Sequence, residues 1–185
     1  MELRPSYPIE TARLRLWPLS ASDLDDLLAY RGDPDVCRYL PFEPMTSAVL
    51  SARLATDLGR TEITEEGHSL TLGASRVTDG RVIGDVVLFF HSALHLSGEL
   101  GYVFAPSVAG QGYATEACTA VLDLAFGSLG LHRVTARMDA RNTTSARLAE
   151  RLGMRREAEF RSSEMFKGEW ADVVIYALLA ADWRA

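Results

Sequence analysis

Between residues 69 and 140 the hydrophobic period changes twice, and this constrains the fold more than any other feature of the chain. Residues 69–77 and 82–91 alternate apolar and polar side chains about a Thr78-Asp79-Gly80-Arg81 turn, and residues 99–104 repeat the alternation. Strands in direct succession pair antiparallel through short turns. The alternation stops at a loop holding Gly110 and Gly112. Beyond it Ala114, Ala117, Cys118, Val121, Ala125 and Leu129 fall on one helical stripe, and Gly127 and Gly130 help to stop the helix. Residues 132–140 return to period two, with Val134, Ala136 and Met138 opposing Arg133, Thr135, Arg137 and Asp139.

The flanking segments extend the pattern. Residues 12–17 read as a strand, and Ser20 caps a helix over 21–30. Asp33-Pro34 starts a short turn or helix ending near Pro41, and a further helix is predicted over 46–58. Asn142 caps another helix that Gly153 ends, and 155–166 and 171–179 close the chain as a hairpin turning at Lys167-Gly168. The expected fold is α/β: a mixed, mostly antiparallel sheet of seven strands with helices on both faces. At 185 residues, with no repeat, low-complexity tract or Gly/Ser linker, a single domain over 1–185 is expected.

Composition narrows the function. A net charge of -6 disfavours nucleic acid, which selects basic faces, and suits a cationic partner. Cys37 and Cys118 lie far apart and form no CxxC pattern, so neither a disulfide framework nor a thiolate metal site is suggested. No run approaches the ~20 apolar residues of a membrane span, and residues 1–10 lack the apolar core of a signal peptide. A soluble protein of the reducing cytoplasm is expected.

Ala109-Gly110-Gln111-Gly112-Tyr113-Ala114 lies between a strand and a helix, where unpaired amides and the positive helix end attract anions. A pyrophosphate fits such a loop, because side chains at the glycines would hold phosphates off the backbone. A dinucleotide site is the rival reading, since Asp139 ends the next strand. It is disfavoured because the fingerprint's third small residue falls at Thr115, and too few elements follow to complete a doubly wound sheet.

The loop and the order of elements resemble the GNAT superfamily of N-acetyltransferases, whose acyl-CoA loop reads Q/R-x-x-G-x-G/A. Gly112 and Ala114 match its last two fixed positions, whereas Ala109 replaces the first. The run Gly110-Gln111-Gly112-Tyr113-Ala114-Thr115-Glu116-Ala117 is similar to RimJ/RimL-type enzymes, which acetylate protein N-termini and some small amines. Thr11-Ala12-Arg13-Leu14-Arg15-Leu16, Arg38-Tyr39-Leu40-Pro41, Asn142-Thr143-Thr144-Ser145 and Trp170-Ala171-Asp172 agree with that branch. The resemblance implies acetyl-CoA as co-substrate, bound by Gly110, Gln111, Gly112, Tyr113, Ala114 and Thr115. It also implies that the main chain of Val103 and Phe104 pairs with the pantetheine amides and that Asn142 contacts the pantetheine arm. The amine acceptor stays open between a protein N-terminus and a small amine, and the assembly between a monomer and a homodimer.

Attack on a thioester needs an uncharged amine, so a general base is useful at neutral pH. Glu164 matches the carboxylate with this role in RimL-like enzymes, and strand parity puts it on one face with Ala158, Phe160 and Ser162. Glu99 is the second candidate. The departing thiolate needs a donor. The family's usual tyrosine is replaced by Ala149, and Ser145 on the stripe of Leu148, Ala149 and Leu152 is the substitute that the RimL-like resemblance implies. Arg147 and Arg151 are candidates for the ribose phosphate. His91 and His95 span a strand and its loop, which disfavours a metal site, and no Gly-x-Ser-x-Gly elbow supports a hydrolase. A non-catalytic acyl-CoA sensor would keep the loop but need neither Glu164 nor Ser145.

Overall fold

A computed structural model describes residues 1–183. The chain runs β1 (Ile9–Glu10), β2 (Leu14–Pro18), α1 (Leu24–Arg31), α2 (Pro34–Cys37), α3 (Ser47–Leu54), β3 (Ser69–Arg76), β4 (Val82–Ser92), β5 (Ser97–Phe104), α4 (Tyr113–Asp123), β6 (Arg133–Asp139), α5 (Thr143–Arg151), β7 (Arg155–Phe166) and β8 (Glu169–Leu179). The sheet has eight strands in the order β1-β2-β3-β4-β5-β6-β8-β7. Its neighbours are antiparallel except for the parallel pair β5 and β6. The strand beyond the expected seven is β1, whose two residues are too few to show a period.

The helices divide between the faces. On one, α4 and α5 bury Ala117, Cys118, Val121, Leu148 and Ala149 against Leu72, Leu88, Leu100, Val134, Ala136 and Val174. On the other, α1 and α3 bury Leu27, Tyr30, Leu50 and Leu54 beside Val82 and Val103. The stripe read from the sequence thus points inward, and α4 runs on into a wider turn over Leu124–Ser128.

Two local interactions reset helix boundaries. Asp23 Oδ2 accepts from Ser20 N at 2.8 Å, so the Ser20 cap opens a short 3-10 turn before α1. The helix expected over 46–58 stops at Leu54, because Thr56 Oγ1 donates to the Ala52 carbonyl and Leu58 N reaches back to Arg53 O. Hydroxyls that bond the preceding turn in this way compete with helix continuation.

A buried ion pair fastens α1 to the sheet. Arg31 donates to both oxygens of Asp85 on β4, at 2.9 and 2.6 Å, and Tyr30 Oη donates to the same carboxylate at 2.6 Å. Asp85 is fully buried. At the far end, Lys167 Nζ in the β7–β8 turn donates to the Cys37 carbonyl at 2.6 Å, joining the hairpin tip to α2.

Candidate active site

The parallel strands β5 and β6 pair over only three positions, Ser97 with Arg133, Gly98 with Val134 and Glu99 with Thr135. Gly98 leaves no room for a side chain: a Cβ there would stand 2.5 Å from Phe89 O on β4 and 2.8 Å from Leu131 Cδ1, just ahead of β6. Beyond Glu99 they part. On its other edge β5 stays paired with β4, and Ala105 N donates to Ile83 O at 2.9 Å. Alternation along an antiparallel ladder then turns the polar main chain of Val103 toward β4 and that of Tyr102 and Phe104 toward the gap. Of the expected pair Val103 and Phe104, Phe104 therefore faces the gap, and Tyr102 takes the place given to Val103. Buried peptide groups need partners, and an extended amide-bearing ligand supplies them.

The gap opens into a cleft of about 1200 Å³. One wall is the glycine loop, where Gly110 and Gly112 have φ of +75° and +80° and Gly112 is the N-cap of α4. No Cβ is favourable at such φ values. The first-turn amides of α4 have no partner within the helix, which suits an anion. Gly110, Gly112, Tyr113, Ala114 and Thr115 border the cleft. Gln111 does not: its Nε2 turns back to Ser107 O at 3.2 Å, and its carbonyl accepts from Arg13 Nη1 at 2.9 Å.

The facing wall is the start of α5. Asn142 Oδ1 accepts from Ser145 N at 3.1 Å, which makes Asn142 the helix cap, and both residues border the cleft. Tyr102 Oη donates to the Ser145 carbonyl at 2.9 Å, and burial pushes the Tyr102 phenol well above its ordinary range. Arg151 lines the cleft near Thr115, whereas Arg147 is not among its lining residues. Ala149, at the position of the missing tyrosine, is fully buried beneath the helix. Burial also raises the Cys118 thiol, so it is no thiolate at neutral pH.

Toward α2 the cleft is bordered by Tyr39, Leu40 and Arg141. Arg141 stacks 5.6 Å from the Tyr39 ring and binds Asp139 and Glu169. Hydrogen bonds from Arg141 hold the Asp139 carboxyl below its ordinary value despite burial.

Both candidate bases lie on the opposite face of the sheet from Ser145. Glu99 pairs in register with Thr135, and its carboxylate is 3.4 Å from His91 Nε2. On β7 a bulge between Phe160 and Glu164 takes up Ser162, whose φ is +44°. Phe160 and Glu164 stay in register with Val173 and Ala171, so they still share a face although Ser162 has left it. Glu164 forms an ion pair with Arg137 and, like Glu99, is not among the cleft's lining residues. Ser145 and the two carboxylates thus lie on opposite faces of the sheet, and the cleft at the gap runs from Ser145 to Tyr39 and Leu40. Among the described residues no group of three or more His, Cys, Asp or Glu stands in a metal-holding arrangement, and no helix is long and apolar enough to cross a membrane.

A sequence profile of the acetyltransferase (GNAT) domain matches residues 13–155. The chain belongs to the GNAT acetyltransferase family. The uncharacterized N-acetyltransferase YnaD of Bacillus subtilis (strain 168) is 30% identical over 176 residues, covering 95% of this chain and 99% of that protein. The ribosomal protein uS5-alanine N-acetyltransferase of Escherichia coli (strain K12) is 32% identical over 84 residues, 45% of this chain and 43% of that enzyme. A solved GNAT-family acetyltransferase from Bacillus anthracis superposes with a TM-score of 0.83 at 27% identity, covering 98% of this chain and 99% of its own.

Acetyl-CoA is the co-substrate that goes with this family, and the fold holds a cleft with the first-turn amides of α4 at one end and unpaired strand edge along its side. Two of its cleft-shaping residues are absent from the sequence reading of the site. Tyr102 shows only one signal, a phenol on an otherwise apolar strand face, which must find a hydrogen-bond partner. Arg13 lies about a hundred residues from the loop it touches and gives no local signal.

Proposed function

We propose that the chain transfers the acetyl group of acetyl-CoA to the α-amine of a protein or peptide, as a cytoplasmic enzyme of the RimJ/RimL-like branch. The observation that carries this reading is the gap between β5 and β6, which connects the glycine loop, Ser145 and the face holding the carboxylates. Main-chain groups of Tyr102 and Phe104 align the pantetheine arm, and amides of Gly110 and of residues 112–115 hold the pyrophosphate. Arg151 reaches toward the same end, supplying a cation where Ala109 cannot. Glu164 takes the amine proton directly or through water, and the amine nitrogen attacks the thioester carbonyl carbon. The C–S bond breaks, and Ser145 donates a hydrogen bond to the departing thiolate.

An α-amine suits an open site. Its pKa is near 8, so about a tenth of it is uncharged at pH 7, far more than of an alkyl amine. The partial likeness to the uS5-alanine enzyme supports the same class of acceptor. The test measures acetyl-CoA consumption with peptides of different N-terminal residues, free amino acids, polyamines and aminoglycosides. Turnover with peptides is expected; turnover confined to a small amine removes the N-terminal reading, and CoA binding without any turnover leaves a sensor. Calorimetry with Gly112→Val checks the cofactor site: CoA affinity falls at least tenfold, since the variant adds a β-branched side chain at φ +80°. Undiminished affinity removes the loop assignment.

A further inference from the structure

The glycine loop is held from outside the cleft by residues of the turn joining β1 and β2. Arg13, the residue before β2, wraps the first turn of α4. Its backbone N–H donates to Glu116 Oε1 at 2.7 Å, and Nε and Nη2 both meet Glu116 Oε2 at 2.7 Å. Nη1 donates to the Gln111 carbonyl at 2.9 Å, and the guanidinium lies 4.4 Å from the Tyr113 ring centre. Thr11 Oγ1 adds a 2.6 Å bond to Glu116 Oε1. These bonds outweigh the effect of burial and hold the Glu116 carboxyl below its ordinary value. The Gly112 Cα is also close, since a Cβ there would be 3.4 Å from Arg13 Nη2.

The Gln111 bond matters because a trans peptide is planar, with its C=O and N–H pointing in opposite directions. A guanidinium that draws the Gln111 oxygen toward β2 therefore aims the Gly112 N–H away from β2. Without it the Gln111–Gly112 peptide, next to a glycine at φ +80°, can rotate and turn a carbonyl toward an incoming phosphate. The same guanidinium neutralises Glu116, a carboxylate that would otherwise repel an anion from the first turn of α4.

We propose that Arg13, locked by Glu116 and Thr11, is a positioning residue for acetyl-CoA: it orients the Gln111–Gly112 peptide so that the loop presents N–H groups, and no carbonyl, to the pyrophosphate. The proposal rests on the loop being the acetyl-CoA site. It assigns Arg13 no contact with the co-substrate, so its effect is confined to ligands that carry phosphate.

The experiment compares acetyl-CoA with S-acetylpantetheine, a thioester that has the same arm and no phosphate, in wild type, Arg13→Ala, Arg13→Lys and Gly112→Val. Arg13→Ala should raise KM for acetyl-CoA about tenfold or more, keep kcat at saturation within about twofold, and leave kcat/KM for S-acetylpantetheine unchanged. Arg13→Lys should recover less than half of the loss, because an ammonium cannot grip Glu116 and the Gln111 carbonyl together. An Arg13→Ala enzyme with wild-type KM, in a protein whose acetyl-CoA binding Gly112→Val still abolishes, overturns the proposal. So does an equal loss for both thioesters in Arg13→Ala and Arg13→Lys alike, which would mark Arg13 as part of the general scaffold. If neither Gly112→Val nor Arg13→Ala weakens acetyl-CoA binding, it is the loop assignment that fails.

Discussion

The Tyr102 hydroxyl and the Ser145 carbonyl, 2.9 Å apart, bridge the two walls of the cleft. One belongs to β5 and the other to α5, which packs on β6 and β8, so this bond crosses the sheet where its own ladder has ended. Tyr102→Phe removes the donor and leaves the Ser145 carbonyl only its bond within α5. Thermal denaturation should show a loss of about 1 kcal/mol, the usual worth of such a bond. Steady-state kinetics should show a lower kcat, because the carbonyl belongs to the residue proposed to meet the thiolate. An unchanged melting temperature together with unchanged kcat would mean that the bond does not hold the walls in register.

Glu164→Gln tests the base. Acid-base contributions are commonly about 10²-fold or more, and kcat should fall by that factor while acetyl-CoA affinity measured by calorimetry stays the same. A variant with full kcat from pH 6 to 9 would move the assignment to Glu99, and Glu99→Gln then becomes the decisive protein.

The buried pair beneath α1 predicts a purely structural defect. Asp85→Ala leaves the Arg31 guanidinium, 4% exposed, without its carboxylate. Removing one partner of a buried pair costs about 3–5 kcal/mol. Urea denaturation should register that loss, and the acetyl-CoA site should stay competent at temperatures where the variant is folded.

Acid should act through the loop clamp. Glu116 titrates below its ordinary value of 4.5 when folded, so its contribution is complete above about pH 4.5 and is lost as the pH falls through the folded pKa. Melting temperatures recorded from pH 7 down to pH 3 should decline on the acid side, and Glu116→Gln should flatten that decline while lowering the plateau at neutral pH. Parallel curves for the two proteins would separate Glu116 from the acid transition.

The parts of the fold that were legible in the sequence are those set by local period. The alternation in β3, β4 and β6 and the α4 stripe followed from side chains a few residues apart, and Asn142 and Lys167-Gly168 marked a cap and a turn by their own chemistry. Boundaries set by competition were less visible: the end of α3 depends on one threonine hydroxyl, and the β7 bulge on how two strands of unequal length close. In the site, the glycine loop could be read because backbone freedom is encoded in the glycines themselves. The orientation of Val103 could not, since parity gives the side-chain face but not which edge of a strand already has a neighbour. The Arg13–Glu116 contact spans 103 positions and exists only once the sheet has assembled.

The three-rung ladder between β5 and β6 also bears on how the protein persists in a cell. Whatever occupies the gap becomes a component of the sheet, and a ligand that pairs with the Tyr102 and Phe104 main chain has nothing to pair with in the unfolded chain. Each tenfold excess of acetyl-CoA over its dissociation constant therefore adds about 1.4 kcal/mol to resistance against unfolding. A ligand seated there thus adds to the stability of the sheet as well as to catalysis.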